Sequence, residues 1–276
     1  MRKLFALVLC AALLCGVGAA SADMLSDIQE KGTLTIGAEV SFPPYEFYFT
    51  NPDTGEEELK GFEMELAKGL AKTLGVELVI SDQAFAGLIT ALRAGELDMI
   101  ISGMSIKPDR MEVVDFSTPY YGGTQIMLVR LEGLDTYKTP EDFTGVNIGA
   151  QTGSLQAGIA EEQFASATTM LLDKVPLLVM ELRLGNIEGM LLTDNVALTY
   201  TTLFPDELAI SEVPVFYESP GVGVAISKGD NETLLAAVNA YIEQVKVDGT
   251  LNEWVEKAIA LNAQLVAQDE DLVAAE

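Results

Sequence analysis

Short runs of consecutive apolar residues alternate along this chain with stretches whose apolar positions recur every third or fourth residue. Residues 34–38 and 76–80 read as strands. Between them Phe62, Leu66, Leu70 and Leu74, with Ala67 and Ala71, share one face of a helix. Gly61 and Gly75 bracket that helix, with Glu63 and Glu65 in its first turn and Lys68 and Lys72 later, as the helix dipole favours. Residues 87–94 predict a short helix and 97–104 a nearly continuous apolar strand. Such runs belong to parallel strands covered on both faces by helices. A second series follows Gly122-Gly123, with strands at 125–129, 146–150 and 189–192 and a helix opened by Pro176. A strand at 222–226 comes next, then a long amphipathic helix for which Asn231 is the expected cap. Residues 51–60, polar and rich in Glu, read as the tip of a surface hairpin. The pattern is that of two α/β units joined by short crossovers.

Composition narrows the chemistry. The 276 residues carry 16 Lys and Arg against 42 Asp and Glu, a net charge of −26, and no His. So acidic a chain offers no basic stripe to a phosphate backbone, so nucleic acid is not an expected partner. Without His there is no His-based triad and no imidazole proton shuttle. Both cysteines, Cys10 and Cys15, fall in the first 22 residues. There Met1-Arg2-Lys3 is followed by an apolar run over 4–14 and by Ala20-Ser21-Ala22, the layout of a signal peptide cleaved after Ala22. The run is too short to span a bilayer, which takes about 20 residues. Lipidation at either Cys is the alternative, disfavoured because Leu9 and Leu14 stand where a small residue is expected. The remainder is expected to be exported, soluble and free of disulfides, cysteine metal sites and cofactors.

Polar residues collect where the strands end, which is where open parallel sheets bind ligands. Ser102-Gly103-Met104-Ser105 closes one strand, and Pro108-Asp109-Arg110 opens a helix directly after it. Gly103 lets a ligand approach the backbone, and Ser105 supplies a hydroxyl. Arg110 supplies a guanidinium able to pair with a carboxylate through two parallel hydrogen bonds. Besides Arg110, only Arg93, Arg130 and Arg183 lie beyond the leader. Gln151-Thr152-Gly153-Ser154 ends another strand and runs into a helix, an arrangement suited to an anion but lacking the Gly-Lys-Ser/Thr of a phosphate loop. Thr193-Asp194 ends a third.

Taken in order, these segments resemble the periplasmic polar-amino-acid-binding proteins of ABC transporters, the family 3 extracellular solute-binding proteins. The run from Gly37 to Phe47 resembles that family's N-terminal signature, and Gly61-Phe62-Glu63-Met64-Glu65-Leu66-Ala67 its first-helix motif. Ser102 to Phe116 is similar to its carboxylate-binding segment. Val224-Ala225-Ile226-Ser227-Lys228-Gly229 and Asp248-Gly249-Thr250-Leu251 are similar to its C-terminal motifs. The resemblance implies an α/β, two-lobed periplasmic-binding-protein fold of type II. Each lobe would be a mostly parallel sheet flanked by helices, with the ligand cleft between lobes. Residues 23–122 with 218–276 would form lobe I and 123–217 lobe II, hinged at Gly122-Gly123 and near residues 217–219.

The resemblance further implies a monomer that takes a free amino acid in the periplasm and delivers it to an ABC permease without catalysis. Arg110 would clamp the ligand carboxylate, helped by Ser105, Ser102 and Gly103 from one lobe and by Gln151, Ser154, Leu155 and Gln156 from the other. Asp194 would receive the ammonium. Its spacing from Glu188 leaves open a register in which Thr193 does so while Asp194 caps a helix. Phe42 and Phe85 would sandwich the ligand side chain, with Glu39 near its far end. A carboxylate between aromatic rings suits a cationic side chain. The competing reading has Glu39 bonded to local backbone and a neutral polar ligand such as glutamine. Two departures are evident: Leu155 replaces a usual Thr or Gly, and Lys107 removes a cap before Pro108. An enzyme resembling cyclohexadienyl dehydratase, or a sensing partner of a membrane receptor, are the alternative functions on this fold.

Overall fold

The computed structural model describes residues 23–274; the leader predicted at 1–22 lies outside them. The chain starts with α1 (Met24–Lys31), capped by the Asp23 carboxylate, which accepts the Leu25 N–H at 2.9 Å. β1 (Thr33–Ala38), the hairpin β2 (Phe47–Thr50) and β3 (Glu57–Lys60), and α2 (Phe62–Leu74) follow. Next come β4 (Glu77–Asp82), α3 (Leu88–Arg93), β5 (Met99–Ile100), α4 (Pro108–Met111) and β6 (Val114–Phe116). A second group comprises β7 (Gln125–Arg130), β8 (Asn147–Gln151), α5 (Leu155–Gln163), β9 (Thr168–Leu172) and α6 (Val175–Arg183). It continues through β10 (Gly189–Thr193), α7 (Asp194–Leu203) and β11 (Leu208–Ile210). The chain returns through β12 (Ala225–Ser227) and ends in α8 (Glu232–Val247) and α9 (Thr250–Ala274).

Two five-stranded sheets result, in the orders β4-β1-β5-β12-β6 and β11-β7-β10-β8-β9. In the first, β1 pairs in parallel with β4 from Thr33↔Glu77 to Ala38↔Asp82, and with β5 at Ile36↔Met99 and Gly37↔Ile100. In the second, β8 lies parallel to β9 and to β10. The strands that carry the chain between the sheets insert antiparallel: β12 against β5 and β6, and β7 against β10 and β11. Each sheet is therefore mixed, parallel in its βαβ half and antiparallel where the chain crosses. The first sheet draws its strands from both ends of the described chain, the second from its middle.

Several local expectations change for identifiable reasons. The apolar run 97–104 is a strand only over β5. The backbone turns at Gly103 (φ 53°), and Ser105 forms just one isolated bridge, to Val222. β12 is likewise shorter than 222–226. Asn231 stands at the start of α8 without capping it: its Oδ1 accepts no helix N–H, while its Nδ2 donates to Asp115 Oδ2 at 2.9 Å and to the Ser227 carbonyl at 2.6 Å. The hairpin proves real, with a tip over 51–56. β9 and β11 are short and lack a clear alternation, and they are added by the structure; α9, which buries Leu251, Val255 and Ala258 at helical spacing, is an element the sequence reading did not name.

α2 sets the geometry that matters most for the cleft. Phe62, Leu66 and Leu70 are buried on its inner face, each such side chain contributing about 1.5–3 kcal/mol. No side chain caps its start. Instead the Phe62 and Glu63 N–H groups donate to the carbonyls of Pro44 and Tyr45 at 3.2 and 3.1 Å. Gly61 makes that docking possible, at φ 122°, because a Cβ there would fall 2.0 Å from the Tyr45 carbonyl oxygen. Gly61→Ala should therefore cost about 2–3 kcal/mol or more of stability in urea denaturation, from backbone strain and displacement of the turn. Gly75→Ala, left-handed but with open space around its Cβ, should cost only about 1–2 kcal/mol.

Candidate ligand-binding site

The carboxyl ends of β1 and β5 meet the carboxyl ends of β8 and β10 across a cavity of about 30 Å³. Apart from Arg110 and Asp194, every residue predicted for the site lines it: Glu39, Phe42, Phe85, Ser102, Gly103, Ser105, Gln151, Ser154, Leu155 and Gln156. Tyr45, Val222 and Thr193 complete the wall. Tyr45 lies inside the N-terminal signature, so a signal for it was present. Nothing in the sequence marks Val222.

On the first-sheet side, Glu39 leaves β1 with its N–H donating to Ser102 Oγ at 2.9 Å, which ties the end of β1 to the segment after β5. Phe42 belongs to an aromatic cluster in which ring centroids lie 4.9 Å (Phe42–Tyr45), 4.6 Å (Tyr45–Phe62) and 5.0 Å (Phe62–Tyr121) apart. Phe85 heads the turn before α3, and the Arg110 guanidinium stands 5.4 Å from its ring centre, a cation–π contact.

On the other side β8 ends at Gln151, and the turn through Gly153 leads to Ser154, whose hydroxyl caps α5 by accepting the Ala157 N–H at 3.1 Å. The first-turn residues Leu155 and Gln156 thereby bring helix N-terminal donors to the cavity wall. Gly153, at φ 72°, comes so close to the opposite side that its Cβ would lie 3.0 Å from that of Ala86. Among the described residues three hydrogen bonds cross the cleft. Arg110 Nη2 donates to the Gly153 carbonyl at 3.0 Å, Gln151 Nε2 to Glu39 Oε2 at 3.2 Å, and Asn195 Nδ2 to Tyr45 Oη at 2.8 Å.

Two buried groups of opposite charge lack ionic partners here: Glu39 in the cavity wall, and Arg110 behind it, bonded to the carbonyl of the wall residue Ser105. Arg110 is 6% exposed and donates only to the carbonyls of Ser105 and Gly153, while Asp109 beside it pairs with Lys107. Burial pulls its pKa down to about 10, against the opposing pull of Asp109 and Tyr217. Arg130 and Arg183, by contrast, are engaged by Glu188 and Glu207. Glu39 is 1% exposed and accepts from Ser41 Oγ and Gln151 Nε2. Burial raises its pKa; the Ser41 bond and the charge of Lys174 oppose the rise. Among the described residues no basic side chain makes an ion pair with Glu39 and no acid makes one with Arg110.

Asp194, like Arg110, is not among the residues that line the cavity. Its carboxylate accepts from Thr124 Oγ1 at 2.7 Å and from the Asn195 N–H at 2.8 Å, at the N-terminus of α7. Thr193, one residue earlier, lines the cavity instead, and its buried Oγ1 has no hydrogen-bond partner. The Tyr200 hydroxyl is also buried and unpartnered, its pKa raised by burial and then by the charge of Glu39. Tyr200 went unnoticed in sequence because a Tyr on an apolar helix face reads as core.

Two α/β lobes enclosing a cleft at their strand ends define a type II periplasmic-binding-protein architecture. Residues 34–260 match the family model of the bacterial extracellular solute-binding proteins, family 3, and the chain belongs to that family. It is 33% identical to the L-cystine-binding protein TcyJ of Escherichia coli (strain K12), over 91% of this chain and 92% of that one. It is 30% identical to ABC transporter arginine-binding protein 1 of the same strain, over 79% and 86%. A solved amino acid ABC transporter substrate-binding protein of Streptococcus pneumoniae, bound to L-arginine, superposes with a TM-score of 0.82. It shares 31% identity, covering 86% of this chain and 98% of that one.

The position of Asp194 generates a test. Its bonds to the Thr124 hydroxyl and the Asn195 N–H should contribute about 0.5–1.5 kcal/mol, the net worth of a hydrogen bond, with a favourable charge at the start of α7. Asp194→Ala should lower stability by that amount in a urea titration run without ligand; no change would show the carboxylate free for another task.

Proposed function

We propose that this protein captures a free amino acid with a cationic side chain, arginine foremost, in the periplasm and hands it to an ABC permease. The observation that carries the reading is the pair of buried charges lacking ionic partners. Burying an uncompensated ion costs several kcal/mol, and a ligand bringing both missing counter-charges repays it for both groups at once. Arg110 is assigned the ligand carboxylate, together with Ser102, Gly103, Ser105 and the first turn of α5 from Ser154 to Gln156. Glu39 is assigned the cationic end of the side chain, with Phe42 and Phe85 on the rings' side and Gln151 bridging. The ammonium is assigned to the Thr193 hydroxyl, the unpartnered oxygen of the wall, with Asp194 holding the helix behind it. The arginine-bound relative supports the choice of ligand class.

The same reading takes residues 23–122 with 218–276 as one lobe and 123–217 as the other, hinged at Gly122-Gly123 and near 217–219. It is a reading of capture without chemistry by a monomer whose leader is removed after Ala22. Hinge closure is the expected response to ligand. Small-angle scattering should give a smaller radius of gyration with arginine than without; superimposable curves at saturation would argue for a rigid module.

Calorimetry with arginine tests the charges directly. Arg110→Ala should lose about 2–5 kcal/mol of binding with little change in fold stability, the range for removing one member of a desolvated pair. Glu39→Gln should weaken arginine more than about tenfold, at least about 1.4 kcal/mol. The raised pKa of Glu39 adds a pH signature: only its ionised form attracts the cation. Wild-type affinity should fall on acidification, and the variant's should not. Tight binding of glutamine, indifferent to Glu39→Gln, would replace this reading with the neutral-ligand one. Following the bound ligand by NMR tests capture against chemistry, since any conversion of it would reveal an enzyme.

A further inference from the structure

Behind the cavity wall, on the side away from the ligand space, two more glutamates are wholly buried. Glu46 and Glu63 are both 0% exposed, and neither forms an ion pair among the described residues. Their hydrogen bonds differ in kind. Glu63 receives three: the Gly103 N–H donates to both its oxygens at 2.9 and 3.0 Å, and the Tyr120 hydroxyl donates to its Oε1. Glu46 Oε1 accepts from Ser102 Oγ at 2.7 Å, while its Oε2 is buried and receives nothing. The Glu46 and Glu63 carboxyls are neighbours: they bond the adjacent residues Ser102 and Gly103, and after burial the Glu63 charge is the largest influence on Glu46. Two bare carboxylates cannot share such a contact, because both only accept. One proton on Glu46 Oε2, donated to Glu63, satisfies every atom: Glu46 becomes a neutral acid and Glu63 an anion with its donors in place.

We propose that Glu46 and Glu63 form an acid–carboxylate pair in which Glu63 is a positioning residue, holding the Gly103 backbone and through Glu46 the Ser102 hydroxyl where the ligand is received. The pair continues a chain of bonds that ends in the site: Glu39 N–H to Ser102 Oγ, Ser102 O–H to Glu46, Glu46 to Glu63, and Gly103 N–H to Glu63. Both ends of that chain are cavity-wall residues. The inference rests on the ligand reading above only for its consequence in affinity. Burial, and then the charge of Glu63, push the Glu46 carboxyl well above the usual range. Burial also raises Glu63, opposed by its bonds from Glu46, Tyr120 and Gly103. The titratable groups facing the pair are Glu39, Tyr45 and Tyr120. Both tyrosines are shifted far upward by burial and stay neutral throughout.

The sign of the pH effect follows. Glu46 holds its proton in the folded protein and loses it at ordinary carboxyl pH in the unfolded chain. Stability therefore falls as pH rises from the unfolded value through the folded one. In Glu46→Gln the amide reproduces the neutral acid, accepting from Ser102 and donating to Glu63, so this part of the slope should vanish while Glu39 keeps its own. Arginine affinity should stay within about threefold of wild type. Glu63→Gln puts an amide among groups that all donate. Arginine binding should weaken by about tenfold or more, and the Gly103 amide should exchange with solvent about tenfold faster in ligand-free protein. If Glu63→Gln does not fold, wild type and Glu46→Gln still decide the matter. Gly103 exchange should accelerate with pH beyond its intrinsic rate in wild type, but not in Glu46→Gln. A pH–stability slope unchanged by Glu46→Gln overturns the location of the proton. Unaltered Gly103 exchange in Glu63→Gln overturns the positioning role. Should wild type fail to bind arginine, the ligand reading falls alone, because the exchange and stability measurements need no ligand.

Discussion

The Ser102 hydroxyl sits where the ends of β1 and β5, the turn after β1 and the start of α2 converge, and each depends on it being satisfied. It takes the Glu39 N–H and gives its own proton to Glu46, in a region with no water-exposed alternative. A buried polar group left unpaired costs about 1–3 kcal/mol, so the four segments cannot shift independently without breaking a bond none can replace. That constraint explains why the cavity wall is built from residues far apart in sequence yet close in geometry. It also explains why α2 docks its N-terminus on the 44–45 turn rather than using a side-chain cap: the same turn delivers Tyr45 to the cavity and Glu46 to Ser102.

The cleft places its cost where a ligand can relieve it. Among the described residues Arg110 and Glu39 are each removed from water and supplied with hydrogen bonds, but neither makes an ion pair. A structural ion pair would neutralise them permanently and leave nothing for a ligand to gain. Elsewhere the chain does make such pairs, Arg130 with Glu188 and Arg183 with Glu207, at positions far from the cavity wall. Three hydrogen bonds across the cleft, from Arg110, Gln151 and Asn195, join its walls. Two of them involve residues to which the proposed function gives a ligand role, Arg110 with Gly153 and Gln151 with Glu39.

The mixed sheets belong to this arrangement. A strand that enters a sheet from the other half of the molecule arrives from the wrong end for a parallel βαβ crossover and must pair antiparallel, as β12 and β7 do. The parallel halves keep their carboxyl ends, and hence their loops and helix starts, facing one another across the cleft.

Much of this was legible along the chain because local chemistry dictates it. The 3.6-residue spacing of α2, its flanking glycines, the apolar β1 and the Ser-Gly-Met-Ser end after β5 are properties of a few neighbouring residues. They pointed to the right family and to residues of which ten line the cavity. Asp194 and Thr193 were indistinguishable in sequence, since a single residue of register separates a carboxylate bonded to Thr124 from a cavity hydroxyl. Asn231 looked like a cap, but its side chain instead ties the start of α8 to Asp115, more than a hundred residues away. The Glu46–Glu63 contact likewise had no local signature, each acid reading as an ordinary polar position of its own element. Sequence determined which elements form and which side chains are available, because propensity and periodicity act over a few residues. Tertiary structure alone decided which of those side chains meet and which acids are taken out of water, because desolvation and long-range contact exist only once the chain has folded.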